Sequence, residues 1–182
     1  GTESRFAKNM TMKARAIGMR HTTFRNASGL PNRSQFSTAR DMVRLALKIR
    51  ADYPEFYRYF KTKKFRYRGR TFRNHNMLLG RYSGTDGIKT GYTNASGYNL
   101  VASVKRNGRR LIGVVFGGKT GSRRDRHMVR ILDKSFVKVS RLAKFVPPKP
   151  KANPRFNTAF IMNKKEKKFS KKENWGIQVG AY

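Results

Sequence analysis

The stretch YNLVASVKRNGRRLIGVVFGG, residues 98–118, decides the fold. It contains two nearly continuous apolar runs, Leu100 to Val104 and Leu111 to Phe116, separated by a turn at Asn107 and Gly108. Asn-Gly tolerates the positive φ angles of a type I′ turn, so the stretch predicts a two-stranded β-hairpin. Because the runs do not alternate with polar residues, we expect the hairpin to lie inside a sheet that is covered on both faces.

Helical patterns precede and follow this hairpin. The first ends near Gly18, a residue suited to the left-handed position after a helix. The second occupies residues 37–56, with Ser37 or Thr38 as its cap, Asp41 in its first turn and Pro54 just past its end. The third covers residues 123–145. The apolar residues at helical spacing are Phe6, Met10, Ala14 and Ile17 in the first helix, Met42, Leu45, Ala46 and Ile49 in the second, and Met128, Ile131, Leu132, Phe136 and Val139 in the third.

Helices on both sides of a hairpin-rich centre predict an α+β fold in which helices pack on an antiparallel sheet. Residues 21–36 carry Gly, Pro and Asn and predict a long loop between the first two helices. The segment KKFRYRGRTFRN, residues 63–74, alternates aromatic and basic residues around Gly69, which predicts an exposed hairpin.

The composition changes after residue 142. Residues 143–173 are rich in proline and lysine and predict an extended, solvated linker. Residues 174–182 end in WGIQVGAY, an alternating apolar pattern that predicts a strand without a partner. The expected organisation is therefore a domain over residues 1–142, a linker, and one strand of a further domain.

The charge balance is extreme. Lys and Arg number 43 against 9 Asp and Glu, a formal net charge of +34. Such a charge favours anionic partners, which include nucleic acid, an acidic lipid surface or anionic polymers of a cell envelope. The chain contains no cysteine, which excludes disulfides and thiolate zinc sites, and no apolar run long enough to span a membrane.

The triplet Lys89-Thr90-Gly91 is a candidate wall of a substrate cleft. An ammonium group can bind a carboxylate or assist proton transfer, a hydroxyl can bind the same carboxylate, and glycine lets a ligand lie against the backbone. The triplet alone is weak evidence, since K-T-G occurs again within GKTG at residues 118–121. The segments around the triplet are more informative than the triplet itself.

That context resembles a known family. The segments TFRNASGLPNRSQFSTARDM, NHNMLL and DGIKTGYTNASGYNLVASVKRNGRRLIGVVFGG occur in an order that resembles the later part of a serine-type D-alanyl-D-alanine carboxypeptidase, a low-molecular-mass penicillin-binding protein of the β-lactamase/transpeptidase-like fold. The tail WGIQVGAY resembles the first strand of a SPOR domain. The resemblance implies an envelope or periplasmic enzyme that trims peptidoglycan stem peptides through an acyl-enzyme, binds β-lactams and needs no cofactor or metal.

The resemblance also implies roles for individual residues. Lys89 matches the third-motif lysine that supports proton transfer and anion binding, and Thr90 and Gly91 complete the motif. The backbone N–H of Tyr92 matches a donor of the oxyanion hole. Arg124 matches an arginine near the substrate carboxylate, with Arg123 and Arg126 as neighbouring alternatives. His75 stands where some relatives carry arginine, so structural and functional roles remain equally open.

Two motifs of the family are expected outside this sequence. No S-x-N occurs in the 182 residues, and the one S-x-x-K, Ser135 to Lys138, follows K-T-G and fits the surface of the third helix. We therefore expect an N-terminally incomplete catalytic domain that is inactive and marginally stable alone, with the apolar faces of the central hairpin uncovered.

Two other functions stay open at this stage. The segment FYRYFKTKKFRYRGRTFR, residues 56–73, could stack on bases and pair with phosphates in a nucleic-acid-binding protein. Alternatively, the chain could be a non-catalytic module whose basic surface binds anionic cell-wall polymers. The basic residues are spread over every segment, which favours incidental rather than specific binding of nucleic acid.

Overall fold

The computed structural model describes residues 1–144 and the backbone of a strand at residues 175–181. The helices are α1 Glu3–Ala16, α2 Ala39–Asp52, α3 Pro54–Tyr57, continued by a 3₁₀ turn Arg58–Lys61, and α4 Gly121–Lys144. The strands are β1 Lys64–Tyr67, β2 Arg70–Arg73, β3 Thr85–Thr93, β4 Gly97–Arg106, β5 Arg109–Gly118 and β6 Trp175–Ala181. The predicted linker, residues 143–173, lies almost entirely outside the described residues.

The central hairpin forms as predicted. β4 and β5 pair antiparallel, and the turn residues Asn107 and Gly108 have φ angles of 49° and 73°. β3 pairs antiparallel with β4, so the larger sheet has the order β3-β4-β5-β6. β1 and β2 form a separate two-stranded sheet, with a turn at Arg68 and Gly69.

The larger sheet is covered on both faces, which confirms its predicted central position. Side chains from β4 and β5 pack on α4 on one face, where Met128 and Leu132 are fully buried. On the other face they pack on α2 and α3, around Val43, Ala46 and Tyr57. The prediction that the apolar runs would be left uncovered is therefore wrong, because Leu100, Ala102, Val104, Leu111, Ile112, Val114 and Val115 are all buried.

The helix ends follow the predicted signals. Thr38 caps α2 by accepting a hydrogen bond from the Asp41 N–H at 3.1 Å. Gly18 follows α1 with a φ of +85°. In α1 the predicted inward position of Ala14 is confirmed, but that of Phe6 is wrong, because Phe6 is 56% exposed and Ala7 is the other buried residue.

The C-terminal strand has a partner, contrary to prediction. β6 runs parallel to β5, from Trp175 opposite Arg110 to Ala181 opposite Phe116. The prediction was wrong because it found no partner strand near the tail in sequence, whereas the free edge of β5 lies 65 positions earlier in the chain. Within the described residues, no helix is long and apolar enough to cross a membrane.

Gly84 occupies a position where we expect any side chain to destabilise the fold. Its φ is +83°, and a Cβ atom there would lie 2.2 Å from the Lys105 carbonyl oxygen. Gly69 has a similar φ of +75° but open space around it. We expect Gly69→Ala to cost about 1 kcal/mol of unfolding free energy and Gly84→Ala about 2 kcal/mol, because only the second also forces two backbone segments apart. Urea denaturation of both variants measures the difference, and equal losses would contradict it.

Candidate active site

The triplet Lys89-Thr90-Gly91 lies in β3, at one edge of the larger sheet. Thr90 is opposite Leu100 and Gly91 opposite Asn99 of β4, so the triplet is paired along one side of β3. Lys89 is exposed, and its Nζ donates to the Thr90 carbonyl oxygen at 2.7 Å. The triplet therefore presents a cation, a hydroxyl and a bare backbone along a strand edge.

A cleft of about 900 Å³ opens beside this triplet. The structure brings all six predicted site residues to its walls. They are His75, Lys89, Thr90, Gly91, Tyr92 and Arg124. Residues from the segment before β3 and from the start of α4 complete the cleft. Its lining includes five Lys and Arg residues and one carboxylate, Asp125, which gives it a strongly positive character.

Arg124 lies at the start of α4 and is 4% exposed. Its Nε and Nη2 donate to the Asp125 carboxylate at 2.9 and 2.7 Å, and its Nη1 donates to the Asn99 carbonyl oxygen at 3.3 Å. Gly118 allows this approach, since a Cβ there would lie 2.8 Å from the Arg124 Cβ. Arg124 is thus a fixed cation that is already paired, whereas Arg126 on the same cleft is exposed.

The second K-T-G triplet has a different place. Thr120 lies at the N-terminus of α4, where its Oγ1 accepts a hydrogen bond from the Arg123 N–H at 3.1 Å. This is the contact of a helix cap. Lys119 is exposed and does not line the cleft, although Gly121 does. The two triplets have the same sequence, but only the lysine of the first, Lys89, lines the cleft.

The one S-x-x-K match lies in α4, but its serine is buried, so the prediction that this serine lies on the helix surface is wrong. Ser135 lies in α4, is 6% exposed, and donates a hydrogen bond to the Ile131 carbonyl oxygen at 2.7 Å. It does not line the cleft. Ser135 therefore contributes no group to the cleft that contains Lys89.

A buried network anchors the start of β3. Arg110 of β5 donates to both oxygens of Asp86 at 2.7 and 2.5 Å and to the Ser103 hydroxyl at 2.6 Å. The Tyr57 hydroxyl approaches the same carboxylate at 3.4 Å, and burial raises the pKa of Tyr57 to about 12. Since Asp86 precedes Lys89 by only three residues, this network holds the triplet in register with the rest of the sheet.

His75 stands on a second anchored segment. The neighbouring Asn76 is buried, and its Nδ2 donates to the Gly87 carbonyl oxygen at 3.1 Å. Asn74 Nδ2 donates to the Thr62 carbonyl oxygen at 2.9 Å. His75 itself is exposed at the cleft wall. The two asparagines thus hold the backbone, while the histidine side chain between them is presented to the cleft.

Sequence reasoning missed several cleft residues. Tyr98 of β4 lies opposite Tyr92, and their ring centroids are 4.4 Å apart. The pairing of β3 with β4 would have revealed this contact, because opposite residues in an antiparallel pair share a face. Ser122, at the start of α4, carried no recognisable signal. The other lining residues that were not predicted are Arg73, Asn74, Met77, Arg81, Gly121 and Asp125.

The fold and the cleft together define a class of protein: a sheet flanked by helices, with K-T-G on an edge strand beside a basic cleft, as in serine-type penicillin-binding enzymes. The sequence profile of the D-alanyl-D-alanine carboxypeptidase family matches residues 1–120. The chain belongs to this family.

Curated relatives and solved structures agree with this assignment. The chain is 36% identical to D-alanyl-D-alanine carboxypeptidase DacF of Bacillus subtilis, over 75% of this chain and 36% of the relative. It is 37% identical to DacA of Escherichia coli, over 75% of this chain and 34% of the relative. The chain therefore spans about a third of the length of these relatives.

Among solved structures, DacD of Francisella tularensis superposes with a TM-score of 0.68 at 27% identity, over 75% of this chain and 46% of that one. Penicillin-binding protein 5 of Haemophilus influenzae superposes with a TM-score of 0.67 at 31% identity, over 74% and 40%. The superposed part of the chain therefore has the fold of part of a penicillin-binding protein.

Proposed function

We propose that this chain provides the K-T-G side of the substrate cleft of a serine-type D-alanyl-D-alanine carboxypeptidase that acts on peptidoglycan stem peptides. One observation carries the proposal: six residues assigned from the sequence, spread from His75 to Arg124, line a single cleft. The family membership of the chain supports the same activity.

Each residue has a role in this proposal. The Lys89 ammonium supports proton transfer during acylation and attracts the anionic end of the substrate. Thr90 Oγ1 donates to the terminal carboxylate, and Arg126 adds an accessible cation beside the paired Arg124. The backbone N–H of Tyr92 contributes to the oxyanion hole. The attacking serine belongs to an S-x-x-K motif of the family, and the single copy in this sequence lies away from the cleft.

The edge position of β3 suggests how a stem peptide binds. One side of the strand is paired with β4, and within the described residues no strand pairs with the other side. An extended peptide can add to such an edge through main-chain hydrogen bonds. Its terminal carboxylate would then lie near Lys89 and Thr90, and the aromatic pair Tyr92 and Tyr98 would contact its apolar groups.

The carboxylate requirement can be tested on the chain itself. We expect an acetylated peptide ending in D-Ala-D-Ala to bind at least about tenfold more tightly than its C-terminal amide, because charge-assisted hydrogen bonds at the cleft need the carboxylate. Two-dimensional NMR titration gives both affinities and should show the largest shifts at residues 89–92. Equal affinities, or shifts confined to other residues, would contradict the proposal.

We further propose an envelope location and a three-part organisation for the protein. Residues 1–142 form the catalytic portion, 143–173 the linker, and 174–182 the beginning of a SPOR-like unit, as the sequence resemblance implies. Action on peptidoglycan would place the chain in the bacterial envelope, on the periplasmic side. β-Lactams, as analogues of the stem-peptide terminus, and anionic envelope polymers are its proposed partners, and nucleic acid binding is incidental.

A further inference from the structure

The two-stranded sheet of β1 and β2, with its connecting turn, forms a ribbon that stands apart from the core. We name residues 64–73 the basic-aromatic ribbon. Every residue from 61 to 73 is exposed, and within the described part of the chain no further strand pairs with β1 or β2. The ribbon therefore offers both of its faces to a partner.

The register separates the ribbon into two chemically different faces. Phe65 lies opposite Phe72 and Tyr67 opposite Arg70, so the three aromatic side chains share one face. They are 61%, 52% and 53% exposed for Phe65, Phe72 and Tyr67, and the rings of Phe65 and Tyr67 are stacked with centroids 6.4 Å apart. The alternate residues form the opposite face, which consists of Lys64, Arg66, Thr71 and Arg73.

This separation indicates the kind of partner. Proteins that bind single-stranded nucleic acid place aromatic and cationic side chains in one groove, so that bases stack while phosphates pair. Here the cations lie mainly on the face opposite the rings. An interfacial amphipathic element has the arrangement seen in the ribbon, with large apolar residues on one face and Lys and Arg on the other. Phe and Tyr side chains fit the boundary between lipid headgroups and acyl chains.

We propose that the basic-aromatic ribbon docks on an anionic lipid bilayer. The aromatic face enters the headgroup region, and Arg70 on that face and Arg68 in the turn pair with lipid phosphates. Arg68 already lies over the Tyr67 ring, with its guanidinium carbon 5.3 Å from the ring centroid. Charge complementarity favours an anionic over a neutral bilayer, because the chain carries a net charge of +34.

Docking would also orient the cleft. Arg73, at the end of the ribbon, lines the cleft that contains Lys89. The ribbon therefore adjoins the cleft, and fixing the ribbon on a bilayer would also fix the orientation of the cleft. This inference concerns a surface beyond the proposed substrate site, and its test does not depend on catalysis.

The decisive experiment removes the aromatic face without changing the charge. Vesicles of phosphatidylcholine with and without phosphatidylglycerol are sedimented with the full 182-residue chain. We expect the variant Phe65→Ser/Tyr67→Ser/Phe72→Ser to bind the anionic vesicles about tenfold or more weakly than the parent chain, because charge attraction remains but the apolar contact is lost.

A matched control removes three other exposed apolar side chains. Phe6, Met12 and Leu30 are 56%, 61% and 65% exposed and lie outside the ribbon. The variant Phe6→Ser/Met12→Ser/Leu30→Ser has the same net charge and should bind anionic vesicles as the parent does. Equal binding by the ribbon variant and this control would overturn the proposal.

A second measurement does not depend on the triple variant. Trp175 is the single tryptophan of the chain, so a Trp175→Phe/Phe65→Trp variant reports from the aromatic face alone. We expect its emission to shift to shorter wavelength when anionic vesicles are added. No shift would overturn the proposal. The proposal would also be overturned if the ribbon variant bound vesicles as the parent does but lost another interaction. The interactions to compare are self-association, binding to single-stranded RNA and binding to purified peptidoglycan.

Discussion

Replacing Lys89 by alanine is expected to lower the rate of D-alanine release by about 10²- to 10⁴-fold in a hybrid carboxypeptidase that contains this chain's cleft. The hybrid carries residues 1–144 in place of the matching segment of E. coli DacA, to which the chain is 37% identical. The physical reason is the position of the Lys89 ammonium, which lines the cleft on an exposed strand edge and has no carboxylate partner among the described residues. Its loss removes both a proton-transfer group and the only cation of the triplet.

The chain supplies a matched control for this experiment. Lys119 is followed by the same Thr-Gly pair and is also exposed, but it does not line the cleft. Lys119→Ala removes one charge, as Lys89→Ala does, and should leave the rate within about twofold of the parent hybrid, because long-range attraction among so many cations changes little. Comparable losses in the two variants would refute the assignment of Lys89. An inactive parent hybrid would argue against the proposed function itself.

Replacing Asp41 by alanine is expected to lower the free energy of unfolding by about 3 kcal/mol. Asp41 is fully buried and accepts hydrogen bonds from the Thr22 hydroxyl at 2.8 Å, the His21 N–H at 2.8 Å and Arg44 Nη1 at 2.8 Å. These contacts join α2 to the loop after α1. Without the carboxylate, the buried Thr22 hydroxyl and the His21 N–H each lose a partner.

The comparison variant for Asp41 is Asp52→Ala. Asp52 pairs with Lys48 at 2.9 Å, but its side chain is 34% exposed, so its loss should cost no more than about 0.5 kcal/mol. Urea denaturation at neutral pH measures both variants. A loss for Asp41→Ala as small as that for Asp52→Ala would show that the buried network contributes little to stability.

The same carboxylate predicts a pH dependence. Burial acts to raise the pKa of Asp41, but hydrogen bonds from Thr22, the His21 N–H and Arg44 outweigh it and hold the pKa below its ordinary value. A lowered native pKa means that the stabilisation is complete above the unfolded pKa of about 3.9 and is lost as the pH falls through the native value. The stability gap between the parent chain and Asp41→Asn should therefore narrow only below about pH 4.

Local sequence determined the elements of this fold. Asn107-Gly108 and the apolar runs beside it were sufficient for the central hairpin, because turn conformation depends on the two residues themselves. Thr38 and Gly18 likewise marked helix ends, since caps are satisfied within a few residues. The family resemblance, carried by residues 86–118 and by the segments around His75 and Arg124, then selected the site residues that line the cleft.

Tertiary structure decided which residues meet. The Arg110–Asp86 ion pair joins residues 24 positions apart, and Tyr98 reaches Tyr92 only through the register of β3 and β4. The exposure of Phe6 and the parallel pairing of β6 with β5 also depend on neighbours distant in sequence. Such contacts depend on packing in three dimensions. A sequence pattern with a period of two or 3.6 residues predicts the face on which a side chain lies, but it does not predict which residue packs against that face.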